Sequence, residues 1–212
     1  MSRKIIGPFN RVEGDLEVQL DIQDGVVKDA WVVSPLYRGF ERILLGKAPD
    51  DALVFTPRIC GICSVSQSIA AAKALAMAKD LEMPENGRLS HNIILAAENV
   101  ADHLTHFYLF FMPDFCRETY SDEPWFPQVH NRFKAVKGQA AKEMLKARAE
   151  FMHILGLLAG KWPHSLALQP GGSTRTIGKQ DQIRLIAIIA SIGLFPYIFC
   201  IIPCCLSCCI RD

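Results

Sequence analysis

The sequence has no excess of charge of either sign, since 23 Lys and Arg stand against 22 Asp and Glu for a net charge of +1 over 212 residues. It has no polybasic run and no interleaving of aromatic with basic residues, so nothing points to nucleic acid. The opening MSRKIIGPFNRVEGD lacks the apolar stretch that a secretory signal requires, and the expected location is cytoplasmic. No internal repeat is visible. Charge itself is missing from residues 185–209. What the chain does have is apolar content: half its residues are hydrophobic, enough for one domain of ordinary size with a sizeable core.

Cysteine is plentiful but unevenly placed. Of eight, Cys60 and Cys63 form a pair, Cys116 stands alone, and Cys200, Cys204, Cys205, Cys208 and Cys209 crowd the C-terminus. A disulfide framework spreads its cysteines over a small secreted domain, so this distribution favours reduced thiols, free or metal-bound.

Leu16, Val18, Leu20 and Ile22 alternate with polar residues, the period of a half-buried strand, and Asp24-Gly25 provides turn chemistry before the apolar run 30–33. The pattern predicts an N-terminal β-hairpin. Beyond SPLYRGFE it changes to the spacing of helices, Ala-rich over 69–78, apolar over 89–111, and periodic over 128–160. Pro84, Pro113, Pro124, Pro127 and Pro163 punctuate these segments, and GKWPHSLALQPGGSTR reads as a long loop. The fold class is therefore α+β and mainly α-helical, a β-hairpin followed by a helical bundle.

Arg58-Ile59-Cys60-Gly61-Ile62-Cys63 carries the sharpest chemical signal. Cysteines at i and i+3 entering a helix put both sulfurs on one side, near the positive end of the helix dipole, an arrangement that favours thiolates. Soft thiolates suit zinc, iron-sulfur clusters, nickel or a redox disulfide, and the pair alone does not choose among them. Glu98, Asp102 and His106 lie at i, i+4 and i+8 in the apolar helical segment, with His103 one step aside. A di-iron bundle uses such stripes, but it needs a second acidic helix with a Glu-x-x-His partner, and no convincing one is found; helix capping and interhelical hydrogen bonds explain the stripe better. Cys116, isolated, reads as packed.

The blocks FNRVEGD, SPLYRGFE, PRICGICSVSQSIAAAKAL, ENVADHLTHFYLFFMPDF and AGKWPHSLALQPGGSTR, in this order, resemble the large subunit of nickel-iron hydrogenases. The resemblance runs over roughly residues 5–190, and Gln67, where many relatives have His, resembles the uptake and hydrogen-sensing branch. It implies reversible heterolytic oxidation of H2 at a nickel-iron centre whose iron also binds carbon monoxide and cyanide. It also implies a site. Cys60 would be a terminal nickel ligand, Cys63 would bridge nickel and iron, Glu13 would accept and pass the proton, and Glu41 would bind magnesium. Each role suits its side chain: a partly buried carboxylate can be tuned to act as a base, and a hard oxygen suits magnesium. Without the resemblance, Glu13 and Glu41 read as solvated carboxylates or members of surface ion pairs, and Arg11, Arg38 and Arg58 as surface or packing residues. A small partner subunit carrying iron-sulfur clusters is implied as well, because the sequence has no cluster-binding set of its own. Membrane association is expected only through a partner or through the tail.

The family's centre takes two further thiolates from a DPCxxC motif at the far C-terminus of a subunit more than twice this length, followed by a His that completes the magnesium site. Here Cys205 and Cys208 offer the spacing without the Asp, and no His follows. The expected organisation is 1–190 as the N-terminal part of such a subunit and 191–212 as a divergent hydrophobic Cys-rich tail. That tail is long enough to span a bilayer, but Pro196 and Pro203 suit a membrane helix poorly. Two other readings accompany the hydrogenase one: an inactive truncated remnant, and a membrane-tethered metal-binding protein.

Overall fold

The computed structural model describes residues 2–9 and 15–193. These fall into two compact units, Met1–Ile43 and Leu44–Asp212. The first is a three-stranded antiparallel sheet in the order β1 (Ser2–Ile6), β2 (Glu17–Gln23), β3 (Val26–Val33). Asp24 and Gly25, both at positive φ, make the β2–β3 turn, as the Asp-Gly pair demands. The expected hairpin is therefore present, extended by an edge strand. Arg3 pairs with Asp21 directly across the β1–β2 register, through contacts of 2.8 and 3.0 Å, and its guanidinium stacks on Trp31. The alternation in β2 does not bury one face: its residues are half-buried or exposed, and β3 is largely exposed, including Trp31 and Val32.

The second unit is helical. After the short α1 (Ala52–Phe55) come α2 (Ser64–Ala78), α3 (Glu85–Thr105), α4 (Phe126–Phe133), α5 (Ala140–Phe151) and α6 (His153–Ala159). A small hairpin, β4 (Leu168–Gln169) with β5 (Gly172–Ser173), interrupts what reads as loop, and α7 (Lys179–Gly193) follows. α3 runs on into a π-helical turn, His106–Phe111. The core is made of Val65 and Ile69 from α2, Ile94, Ala97, Ala101 and Leu104 from α3, Met144 and Phe151 from α5, and Ile154, Leu155 and Leu158 from α6. Recurrence at three and four residues puts these side chains on one stripe of each helix, which is why the helices pack at all. Alanines on α2 and α3 let their backbones approach closely.

Glycine matters most where α3 meets the β4–β5 hairpin. A Cβ on Gly87 would lie under 3.0 Å from the Gly171 carbonyl oxygen and 3.1 Å from Gly172 Cα. Beside this contact the buried His91 donates through Nε2 to the Gly172 carbonyl at 2.6 Å. α3 is thus fixed both to α2 on one side and to the hairpin on the other. Among the described residues no helix is long and apolar enough to cross a membrane.

Candidate metal-binding thiol pair

Cys60 and Cys63 sit at the entrance to α2, and Cys63 is the residue that caps it. Both thiols are free and half-buried. Pro57 is buried, and the 3-10 turn Thr56–Arg58 delivers the chain into the pair, with Arg58 bonding back to the Val54 carbonyl. Burial pushes the Cys63 thiol above its ordinary value; a hydrogen bond with Cys60 and the nearby charges of Cys60 and Glu98 push the same way, while the Gln67 amide opposes them. Gln67 reaches Cys63 Sγ from one helical turn on, Nε2 to sulfur at 3.7 Å. The helix dipole alone led to an expectation of thiolate at this position; in the folded chain without metal, desolvation wins and the protonated form is favoured at Cys63. A bound cation reverses that balance, because thiols lose their protons on coordination.

The first turn of α2 is held from outside. An α-helix leaves its first N–H groups without intrahelical acceptors, and a Ser, Thr, Asp or Asn at the cap usually takes one. Here the cap is Cys63, whose side chain makes no such bond. Glu98 on α3 does the work: Oε1 accepts from Val65 N at 2.8 Å and Oε2 from Ser66 N at 3.0 Å, with the Ser66 hydroxyl at 3.2 Å and that of Ser64 at 3.4 Å. Trp162 Nε1 donates to the same Oε1 at 2.9 Å. Glu98 is only 3% exposed, and a carboxylate so desolvated is tolerated because its lone pairs are filled by five donors.

Trp162 is itself pinned, its ring lying under the Arg148 guanidinium 5.3 Å from the centroid. Two residues on, His164 Nδ1 donates to the Pro57 carbonyl at 2.7 Å, closing over the start of the cysteine segment. Pro163 and His164 lie against Gly61, each with an atom 3.9 Å from where a Cβ would stand. The stretch expected to be only a loop therefore packs against the cysteine segment at Pro57 and Gly61.

The other expected site residues fare differently. Glu41 lies exposed in a turn after Arg38-Gly39-Phe40, within the first unit, and Arg38 stacks over the Phe40 ring at 4.6 Å. Glu13 and Arg11 lie outside the described residues, as do Cys200, Cys204, Cys205, Cys208 and Cys209 with most of the 191–212 tail. Among the described residues, no group of three or more His, Cys, Asp or Glu side chains could hold a metal ion. Of the stripe on α3, Asp102, His103 and His106 are exposed, and Glu98 makes the interhelical bonds that the bland reading expects. Cys116 is buried against the Met112 and Val129 carbonyls, a packed thiol as expected. Glu98 and Trp162 were not singled out as partners of the cysteines. The available signal was an acid falling on the apolar face marked by Ile94, Ala97, Ala101 and Leu104.

Residues 38–121, which contain both cysteines and Glu98, match the family model described as nickel-dependent hydrogenase. The chain is 38% identical over 109 residues to the Hydrogenase-2 large chain of Escherichia coli, covering 51% of this chain and 19% of that protein. It is 35% identical over 107 residues to the uptake hydrogenase large subunit of Bradyrhizobium diazoefficiens, covering 50% of this chain and 18% of that one. The Ni-Fe-Se hydrogenase structure from D. vulgaris Hildenborough superposes with a TM-score of 0.69 at 31% identity, over 90% of this chain and 41% of that chain. The chain thus spans less than half the length of each of these proteins. With the thiol pair set in a shared fold and sequence, the chain matches the N-terminal portion of nickel-dependent hydrogenase large subunits.

Proposed function

We propose that this chain supplies the N-terminal half of a hydrogenase metal site, with Cys60 and Cys63 as two thiolate ligands of a nickel-iron centre. The observation that carries the reading is the pair itself: two free, half-buried thiols at i and i+3 at the entrance to α2, with Pro163 and His164 lying against Gly61 between them. Their donor chemistry fits the group that the family implies, since sulfur is soft and suits nickel and low-valent iron. When bound, the centre supplies the Lewis-acid and redox chemistry for heterolytic cleavage of H2; carbon monoxide and cyanide complete the iron. The chain's own residues hold and orient. Gln67 directs an N–H at Cys63, and the Cys63 proton must leave before coordination, so metal uptake strengthens as pH rises toward the thiol range.

Glu13 is the proposed proton acceptor and Glu41 the proposed magnesium ligand. Their side-chain chemistry and their places in RVEG and RGFE support these roles. Electrons leave through a small partner subunit carrying the iron-sulfur clusters. Gln67 and the similarity to an uptake hydrogenase favour hydrogen uptake or sensing. A second reading, that this chain alone binds nickel weakly, has one observation in its favour: among the described residues no group of three or more His, Cys, Asp or Glu could hold a metal ion. A graft decides. Residues 1–190 should replace the matching segment of a full-length large subunit, co-produced with its small subunit, and sustain H2/D2 exchange. Cys60→Ser and Cys63→Ser should each remove exchange and nickel together; retention of both activities in the serine variants sinks the reading.

A further inference from the structure

We propose that Glu98 is a positioning residue for the thiol pair, a carboxylate on α3 that fixes both ends of the segment 57–66 on which Cys60 and Cys63 lie. This rests on the reading of the pair as metal-binding and deepens it by naming what sets the pair's geometry.

At the far end of the segment, α2 begins immediately after Cys63, so the direction of its first turn decides where the Cys63 sulfur stands. That turn is oriented by the two carboxylate oxygens of Glu98 on the Val65 and Ser66 N–H groups. At the near end, the Pro57 carbonyl is held by His164, and His164 is tied through Pro163 to Trp162, whose indole N–H returns to Glu98. One carboxylate therefore closes a ring of contacts around the cysteines.

An ordinary helix would use its own cap residue for the orphan donors. Here the cap position is given to a thiol, and the capping role has moved to a side chain 33 residues beyond Val65. That transfer makes sense if the cap side chain is needed for something else. Burial sharpens the point, because an acid on the apolar face of α3 destabilises the fold unless its donors are in place. Arg148, stacked on Trp162, keeps the indole edge turned toward Glu98.

The test uses the whole 212-residue chain and a bifunctional thiol reagent, dibromobimane, which bridges two thiols only when they are close and correctly directed. The readout is the ratio of bridged to singly alkylated product in the tryptic peptide 59–73, so the tail cysteines do not contribute. In Glu98→Ala the ratio should fall about tenfold, the lower end of what loss of an outer-shell partner costs a metal pair. Glu98→Gln should recover part of it, because the amide oxygen still accepts from Val65 and Trp162 while its NH2 opposes Ser66. Trp162→Phe, which deletes only the indole donor and some ring area, should lie between parent and alanine. Circular dichroism must show parent-like helix content at the assay temperature; if Glu98→Ala fails this, the glutamine and phenylalanine variants carry the test alone. A bridging ratio unchanged across the folded variants, with only the melting temperature lowered, overturns the proposal and leaves Glu98 a structural cap. Nickel binding is scored separately by equilibrium dialysis of the grafted subunit. Loss of nickel binding in the parent graft with the bridging series intact removes the metal reading and keeps the positioning role.

Discussion

The same substitution, glycine to alanine inside a helix, should have opposite signs at Gly87 and Gly156. Gly156 lies exposed in α6, with open space where a Cβ would go. Only backbone entropy and helix propensity act there, so Gly156→Ala should stabilise by about 0.5–1 kcal/mol. At Gly87 the same gain is offset by steric overlap with the backbone of Gly171 and Gly172, which cannot swing aside as a side-chain tip can. Relieving that overlap means moving the β4–β5 hairpin off α3 and stretching the His91 to Gly172 hydrogen bond. Overpacking costs of about 1–3 kcal/mol exceed the propensity gain, so Gly87→Ala should be net destabilising. Thermal unfolding followed at 222 nm resolves both, since a chain of this size shifts its midpoint by about 2–4 °C per kcal/mol. Two midpoints rising together would show that the hairpin does not press on α3, and the packing described for this unit would be wrong.

Leu155, a fully buried core residue of α6, should cost about 2–5 kcal/mol on truncation to alanine, read from urea unfolding; a cost under about 1 kcal/mol would deny it the core. Burial pushes the Cys116 thiol above its ordinary value, with Lys134 opposing, so the fold favours the neutral form. Its contribution to stability is therefore complete below the unfolded thiol value of about 8.5 and is lost as pH rises through the higher folded value. Stability measured from pH 7 upward should decline less steeply in Cys116→Ala than in the parent; identical slopes would contradict this. In a full-length subunit carrying these N-terminal blocks, Glu13→Gln should keep nickel but lower H2/D2 exchange by about a hundredfold or more, the scale for a lost general base. Parent-level exchange in that variant would send the proton route elsewhere.

Much of the helical unit was legible because its periodicity is strong: on α5 the spacing of Ala140, Met144, Ala147 and Phe151 matches the buried residues. The turn at Asp24-Gly25 was legible for a different reason, that few residues tolerate its backbone. β1 was not. Ser-Arg-Lys-Ile-Ile is short and exposed throughout, and only pairing with β2 makes it a strand. That the cysteine pair enters a helix was legible, and α2 does begin at Ser64 directly after Cys63, but its cap was not, because Glu98 from another helix supplies it. The cysteine pair was legible from spacing, but its surroundings were not: Trp162 and His164 come to it through contacts 64 and 107 residues apart in sequence. The upward push of burial on the Cys63 thiol was not legible for the same reason, since desolvation depends on neighbours that local spacing does not reveal.

Nickel K-edge X-ray absorption on the grafted large subunit tests the central claim most directly. The parent should show a sulfur-rich first shell at the short distances typical of metal–thiolate bonds, about 2.3 Å by analogy with zinc. Cys60→Ser, if any nickel remains bound, should lose one sulfur from that shell and gain a lighter scatterer. A shell unchanged by Cys60→Ser at full nickel occupancy would contradict the assignment of the Cys60 thiol as a nickel ligand.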